Sequence, residues 1–254
     1  MHIERFLERY TLFPREPDFQ FLTDVMKAYS TLPYENVTKI LKDARSSSTR
    51  QKFRRTEEVF DDHLRWNTGG TCFSLCNALQ ELLMFCGFNA FIAMGDMHYG
   101  VNIHCSIIVR LQDRAYLLDP GYLLHQPIPL PATEIRVNTR MNIVLLKNEG
   151  DNRFSLYTEE NGVTKWRYRL KAIAVQREEF ERHWAHSFSL NSMENVLLTR
   201  LNASGRLYYR KDRVELVRPH QRMKQKIKDN DFQTLSQLFG LPADLIMQAQ
   251  RLKG

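Results

Sequence analysis

The sequence predicts an α+β protein, helices first and strands after. Two observations carry that reading. Apolar residues recur at helical spacing through roughly the first ninety positions, and from Phe88 onward the period shortens towards two. A third is the run of short turn signals between the later segments, above all Asn161-Gly162, which suits the positive φ of a type I′ hairpin. Consecutive strands on short turns imply an antiparallel sheet or small barrel.

Ile3, Phe6, Leu7 and Tyr10 share one helical face, and Pro14 and Pro17 end that element. Asp18 is placed to cap a second helix with Phe19, Leu22, Val25, Met26 and Tyr29 on its stripe. Leu32-Pro33 breaks it. Residues 42–55 are polar around Ser46-Ser47-Ser48 and read as a mobile loop. Thr56 opens a helix to about Leu64. Cys72 starts another, with Leu75, Leu79, Leu82 and Leu83 inward and Gly87 as its stop. Strands are expected at 88–94, 103–111, 115–118, 143–146, 153–158 and 163–170, with Gln112-Asp113 as a second hairpin turn. Helices return at 177–184 and 192–199. A strand pair at 207–210 and 214–217 precedes two closing helices, 231–239 and 242–252, separated by Gly240.

Hydrophobic content of 43% and charged content of 26% are those of a globular chain long enough for a large core. No apolar run is long enough for a membrane span, and the N-terminus lacks the apolar centre of a signal peptide. A cytoplasmic protein is expected, its oligomeric state unread. The net charge of +7 suits a partner carrying phosphates, and basic residues gather at 45–55 and 218–228. Both runs read first as solvated faces. With no aromatic-interleaved basic stripe, nucleic acid is disfavoured as a partner. The four cysteines, Cys72, Cys76, Cys86 and Cys105, are too few for a disulfide scaffold. A zinc site built from Cys72, Cys76, His104 and Cys105 is set aside. Adjacent strand residues such as His104 and Cys105 point to opposite faces and are poorly placed to share one ion, so no metal is expected.

The chemistry concentrates at three positions. Cys72 follows the Gly69-Gly70 turn and begins a helix, where unpaired N–H groups and the helix dipole favour a thiolate. His104 stands on one strand face with Ser106 and Ile108, opposite the stripe Ile103, Cys105, Ile107 and Val109. Asp119 ends the next strand. Counting inward from Gln112-Asp113 puts 104 opposite 121–122, so Asp119 is a diagonal neighbour within reach of the imidazole. Nucleophile, base and orienting acid are then together. Taken singly, each residue has an ordinary structural explanation: a buried small hydrophobe, a satisfied strand histidine, a turn-forming aspartate. Their conjunction favours a Cys72, His104, Asp119 triad.

Pro33-Tyr34-Glu35-Asn36, Thr68-Gly69-Gly70-Thr71-Cys72, the strand opened by Ile103-His104, Asp119-Pro120-Gly121-Tyr122 and the closing Leu238-Phe239-Gly240-Leu241 together resemble the arylamine N-acetyltransferase family. The resemblance spans nearly the whole chain. It implies a helical bundle (1–87) carrying the nucleophile, a central antiparallel β-barrel (88–190) carrying His104 and Asp119, and a C-terminal α/β lid (191–254), around a cysteine-protease-like core. It implies a double displacement in which acetyl-CoA acetylates Cys72 and an arylamine or hydrazine takes the acetyl group, with Thr71 and Tyr122 against substrate. The departures are specific. The family's motif arginine is Thr68 here, Ser74 and Cys76 replace polar residues after the cysteine, and Leu123 replaces a glycine after the aspartate turn. Thr68 with Ser74 is a smaller substitute pair. Two other readings stay open: a transglutaminase-like or amidase-type Cys-His-Asp enzyme, and a degenerate, non-catalytic member of the fold.

Overall fold

A computed structural model of the protein describes residues 2–253, apart from Asn161, Asn191, Ser192, Ser204, Pro219, His220 and Asp229. Helix α1 (His2–Arg9) buries Phe6 and Leu7. Helix α2 (Phe19–Tyr29) begins where Asp18 accepts the Phe21 N–H at 2.6 Å, the expected cap. The proline break leads into a two-residue strand, β1 (Tyr34–Glu35), and then into α3 (Val37–Arg45) and α4 (Thr49–Lys52). Residues 42–55 are therefore not a mobile loop. The end of α3 and all of α4 occupy them, and the segment is anchored by Phe53, which stacks on Trp184 with ring centroids 4.6 Å apart. Polar composition hid two short helices that depend on tertiary contacts.

Helices α5 (Thr56–Trp66) and α6 (Cys72–Phe85) complete this layer. The inward leucines of α6, Leu75, Leu79, Leu82 and Leu83, are almost fully buried, each contributing roughly 1.5–3 kcal/mol. The helix stops at Gly87, whose φ of 84° is open to glycine at little cost.

Strands β2 (Asn89–Met97), β3 (Gly100–Leu111), β4 (Arg114–Leu118), β5 (Ile128–Pro129), β6 (Glu134–Asn138), β7 (Ile143–Gly150), β8 (Arg153–Glu160) and β9 (Val163–Lys171) form one antiparallel sheet in the order 5-4-3-2-9-8-7-6. Residues from seven of these strands, among them Ala93, Ile108, Leu117, Ile128, Val144, Leu156 and Tyr168, meet in one core, so the sheet curls almost into a barrel. Its other face packs on α6: Cys105, Ile107 and Val109 join the helical core, as their alternation predicts. The β8–β9 hairpin forms as expected with Gly162 at φ 76°, while Asn161 of that turn lies outside the described residues.

Helix α7 (Arg177–His186) returns Phe180 and Trp184 to the helical core. The second sheet, in the order β1-β10-β11-β12-β13, consists of β1 with β10 (Leu197–Asn202), β11 (Gly205–Arg210), β12 (Arg213–Arg218) and β13 (Gln221–Lys226). Of the helix expected at 192–199, only Met193 is helical among the described residues, in a 3-10 turn. Residues 197–199 are strand instead, with Ser192 outside the described residues, because β1 and β11 offer ladder partners on both sides. Strand β13 shows no apolar alternation and every side chain is exposed; its backbone ladder holds it, with Arg222 and Lys224 flanking Glu215. Helices α8 (Phe232–Phe239) and α9 (Ala243–Arg251) close the chain and share a core with Val37, Ile40 and Leu41 of α3. No helix among the described residues is long and apolar enough to cross a membrane.

Candidate active site

Cys72 is the first residue of α6, 7% exposed, behind a turn held from three sides. The Gly70 N–H donates to the Pro33 carbonyl at 3.3 Å, and the Glu35 N–H donates to the Gly70 carbonyl at 3.0 Å, so β1 grips the turn. A Cβ on Gly69 would strike the Pro33 carbonyl oxygen, which explains the first motif glycine. Thr71, the residue before α6, makes no side-chain cap, so its hydroxyl does not occupy the first-turn N–H groups.

The third hold comes from a residue that the sequence reading placed on a solvated face. Arg54 is 4% exposed and donates to the Gly69 carbonyl, to Thr38 Oγ1 at 2.8 Å and to Asp62 Oδ2 at 2.8 Å. It lies 4.0 Å from Glu35, which is fully buried and accepts from the Thr38 N–H and hydroxyl at 2.9 and 2.6 Å. A guanidinium thus braces the nucleophile turn, supplied from position 54 rather than 68. The substitute pair expected of Thr68 and Ser74 does not form. Thr68 Oγ1 is buried without a hydrogen-bond partner among the described residues, and the Ser74 hydroxyl donates to the Thr71 carbonyl at 3.1 Å. His63 secures the Thr68 carbonyl through Nδ1 at 3.0 Å.

The β3–β4 register pairs Ile107 with Leu118 and Leu111 with Arg114, then stops, leaving His104 and Asp119 beyond the last pair as the count predicts. His104 Nε2 lies 2.8 Å from Asp119 Oδ2, leaving Nδ1 for the cysteine side. Asp119 is fully buried and heavily donated to. Its Oδ2 also takes the Tyr168 hydroxyl at 2.6 Å and the Ser106 hydroxyl at 3.0 Å, and its Oδ1 takes the Tyr122 N–H at 2.9 Å. Tyr168 was not foreseen. Ser106 stands on the face of His104 by simple alternation, so its signal was available. A Cβ on Gly121 would lie 3.0 Å from both Cys72 Cβ and His104 Cε1 and 3.3 Å from Asp119 Oδ1, so this glycine seats where the three side chains meet.

The electrostatics agree with the geometry. The Cys72 thiol is held well below its ordinary range by a hydrogen bond from the Cys105 thiol, against the opposing effect of burial and with the help of hydrogen-bonding and charge from His104. Burial works to lower His104, but the charge and hydrogen bond of Asp119, with those of Cys72, carry it well above the usual imidazole value. Burial works to raise Asp119, and His104, Tyr168 and the Tyr122 N–H more than reverse it. Both shifts favour a thiolate beside an imidazolium over the neutral pair. His104 and Cys105 do lie on opposite sheet faces, yet both act on Cys72. Among the described residues no three His, Cys, Asp or Glu side chains are grouped to hold a metal.

Cys72 and His104 open into a cavity of about 460 Å³, with Thr71, Tyr122, Lys39 and Arg210 among its walls. Lys39 was not foreseen. It is buried, donates to the Ser187 carbonyl at 2.9 Å and hydroxyl at 2.7 Å, and is lowered to about 8 by burial. Tyr34, Tyr99, Gly121 and Tyr122 separate this chamber from a second one of similar volume under β11 and β12.

A helical layer presenting a cysteine at a helix start to the histidine and aspartate of a curled antiparallel sheet defines the Cys-His-Asp class of fold. Comparison narrows the class. Residues 18–246 match the family model described as N-acetyltransferase, and the chain belongs to that family, the arylamine N-acetyltransferases. Human arylamine N-acetyltransferase 1 is 28% identical over 144 residues, covering 51% of this chain; the chain spans about half the length of that curated relative, 47%. The fold is that of the Mycobacterium smegmatis arylamine N-acetyltransferase (TM-score 0.82, 18% identity, 100% and 99% of the two chains covered). It is likewise that of the Salmonella typhimurium enzyme (0.80, 19%, 98% and 97%). A Bacillus cereus arylamine N-acetyltransferase, described as having a Cys-His-Glu triad, superposes at 0.73 with 18% identity over 94% and 98%.

Proposed function

We propose that this protein is an acyl-CoA-dependent N-acyltransferase that moves an acetyl group from acetyl-CoA to an arylamine or hydrazine through a Cys72 thioester. The observation that carries the reading is the contact of a helix-start thiolate with an imidazole that a buried carboxylate holds from its other nitrogen. The Cys72 thiolate attacks the acetyl carbonyl carbon, and the carbon–sulfur bond to CoA breaks. The departing thiolate takes the proton from imidazolium His104 and leaves as CoA thiol. In the second half, the amine nitrogen attacks the thioester carbonyl and loses a proton to neutral His104. Cys72 departs as thiolate, and the imidazolium beside it restores the starting pair. Asp119 keeps the imidazole oriented and favours its charged form throughout. Thr71 and Tyr122 flank the acyl group. We assign the protein to the cytoplasm and divide it at 1–87, 88–190 and 191–254. Against a degenerate member stands Arg54, which supplies the guanidinium that Thr68 lacks.

The test is intact-protein mass spectrometry after mixing with acetyl-CoA, beside Cys72→Ala. The expected result is an acetyl-sized increment on wild type alone, removed by an arylamine. An unmodified wild type, or an equally modified Cys72→Ala, would sink the proposal. Turnover of a glutamine amide without CoA would favour an amidase-type enzyme instead.

A further inference from the structure

No carboxylate lines the Cys72 chamber among the described residues. Its walls include two basic side chains, Lys39 of α3 and Arg210 of β11, together with His104. Arg210 is exposed, so solvent screens its charge. Lys39 is buried. Its donations go to neutral groups, the Ser187 carbonyl and hydroxyl, and the Phe188 ring lies 4.4 Å from its nitrogen. The groups whose negative charge acts on it are the Cys72 sulfur first, then Asp43 of its own helix and Cys105 of β3. Asp43 is already paired with Lys52 of α4 at 2.8 Å, and Lys52 itself stands 5.8 Å from the Phe188 ring. Burial keeps Cys105 protonated by pushing its thiol well up. The Cys72 thiolate is therefore the main counter-charge of this buried ammonium.

Acylation removes that counter-charge. A thioester sulfur is neutral, and His104 has given its proton to the departing CoA thiolate, so Lys39 is left as a buried cation on a chamber without an anion. A compact chamber of about 460 Å³ spans roughly 10 Å, and two like charges at that separation in protein disfavour each other by roughly tenfold. We propose that Lys39 selects the acceptor by charge: its ammonium, unopposed once Cys72 is acylated, admits amines that enter neutral and turns away acceptors that carry a cation. Of the two acceptor classes named above, arylamines are neutral at neutral pH and pass, whereas protonated hydrazines do not. The selection works through a repulsive element rather than a binding contact. It rests on the thioester reading for the acylated state, though not for the charge on the chamber wall. Burial lowers Lys39 to about 8, and loss of the thiolate lowers it further, so the filter acts on the acid side of that value and fades as pH rises towards it.

Two isosteric anilines isolate the charge: 4-neopentylaniline and 4-aminobenzyltrimethylammonium, which differ by a carbon-for-nitrogen exchange and one permanent positive charge. Each discharges acetyl-Cys72 by the same chemistry. The carbon–nitrogen bond forms, the carbon–sulfur bond breaks, and the amine proton goes to His104. The ratio of the two discharge rates is read at about pH 6, where lysine is charged. Lys39→Gln keeps a donor for Ser187 without the charge, and Lys39→Arg keeps the charge. Lys39→Gln is expected to raise the cation-to-neutral ratio by about tenfold, and Lys39→Arg to leave it within about twofold of wild type. An unchanged ratio in Lys39→Gln, or an equal rise in both variants, would overturn the filter. Should Lys39→Gln not fold, a pH series decides. The wild-type ratio should climb as pH rises towards 8, and climb less in Lys39→Arg, whose guanidinium keeps its proton; parallel series overturn the filter. If wild type is never acetylated, the thioester reading fails and the charge is tested on the free sulfur. Cys72 is then modified by 2-(trimethylammonio)ethyl methanethiosulfonate and by its neutral 3,3-dimethylbutyl isostere, each forming a disulfide with the Cys72 sulfur and releasing methanesulfinate. Both meet the same thiolate, so any change in its population cancels in their ratio. That ratio should rise in Lys39→Gln and not in Lys39→Arg, and no rise overturns the proposal.

Discussion

Replacing Arg54 with methionine keeps most of the side chain's length and apolar stem while removing the guanidinium. Four acceptors lose a donor: the Gly69 carbonyl, Thr38 Oγ1, the Asp62 carboxylate and, at 3.4 Å, the Glu58 carbonyl. Asp62 is 27% exposed and water compensates it in part, but Glu35 is fully buried and keeps only the two donors of Thr38. Removing one side of a buried pair costs about 3–5 kcal/mol, and an orphaned buried carbonyl about 1–3. These overlap and do not add, so about 3–5 kcal/mol is expected in urea unfolding. For a chain of this size that is a melting point lower by roughly 6–20 °C. Arg55→Met is the control. Arg55 is 32% exposed and pairs with Glu181 at the surface edge, a contact worth at most about 1 kcal/mol. A second readout separates bracing from bulk stability. At a temperature where both variants are folded, Cys72 should react more slowly with iodoacetamide in Arg54→Met, because the released Gly69 carbonyl lets the nucleophile turn move. An Arg54→Met protein as stable and as reactive as Arg55→Met would refute the bracing argument.

Three further outcomes follow from the site and its surroundings. With Cys72 shifted down and His104 shifted up, the thiolate should persist as pH falls through neutrality, giving a flat alkylation rate there; in His104→Gln the thiol loses one of its two hydrogen-bonding supports and should shift upward, so the rate at pH 7 drops severalfold, as a stopped iodoacetamide assay would measure. Burial lowers His63 to about 4, so between that value and the unfolded 6.5 the unfolded chain binds the extra proton; stability is full above pH 6.5 and is lost as pH falls to 4, by roughly 3 kcal/mol, a slope that denaturant titrations should find largely absent in His63→Gln. Leu123 is buried at φ 54° where the family has glycine, so Leu123→Gly relieves about 1–2 kcal/mol of backbone strain yet loses a larger packing contribution of about 2–5; the variant should melt lower and be acetylated severalfold faster by acetyl-CoA, with no gain for p-nitrophenyl acetate.

The meeting of Cys72, His104 and Asp119 was legible because these residues are chemically distinctive and their spacing obeys simple arithmetic. The turn at Gln112-Asp113 sets the register that brings 104 level with 121, and an aspartate two residues back then has one direction in which to reach. Arg54 was illegible for the opposite reason. It sits in a basic run whose other arginines are exposed or half-exposed, and only the fold shows that Glu35 and the Gly69 carbonyl converge on this one. Tyr168 reaches Asp119 from a strand 49 positions away, beyond any local pattern. The misjudged elements share a cause as well. Residues 197–199 and the whole of β13 become strands through partners remote in sequence or through a ladder on one side, not through their own alternation. Thr68 and Ser74 do not compensate for the missing motif arginine; Arg54 does, from a different segment.

Strand β1 has a temporal consequence. It is two residues long, and on one edge it pairs with Leu198 and Thr199 while on the other it bridges to Gly70. Asn36, next along, receives the Leu197 N–H across 161 positions. The turn before Cys72 is therefore held by Pro33, Glu35 and Arg54 within the helical layer, while the outer edge of its β1 clamp is completed only by the C-terminal sheet. Contacts of such sequence separation form late and slowly. A nascent or truncated chain can carry a folded helical layer and even a paired His104 and Asp119 without a reactive sulfur. Reactivity of this thiol should therefore report on how completely the C-terminal sheet has docked, although the nucleophile lies in the first third of the chain.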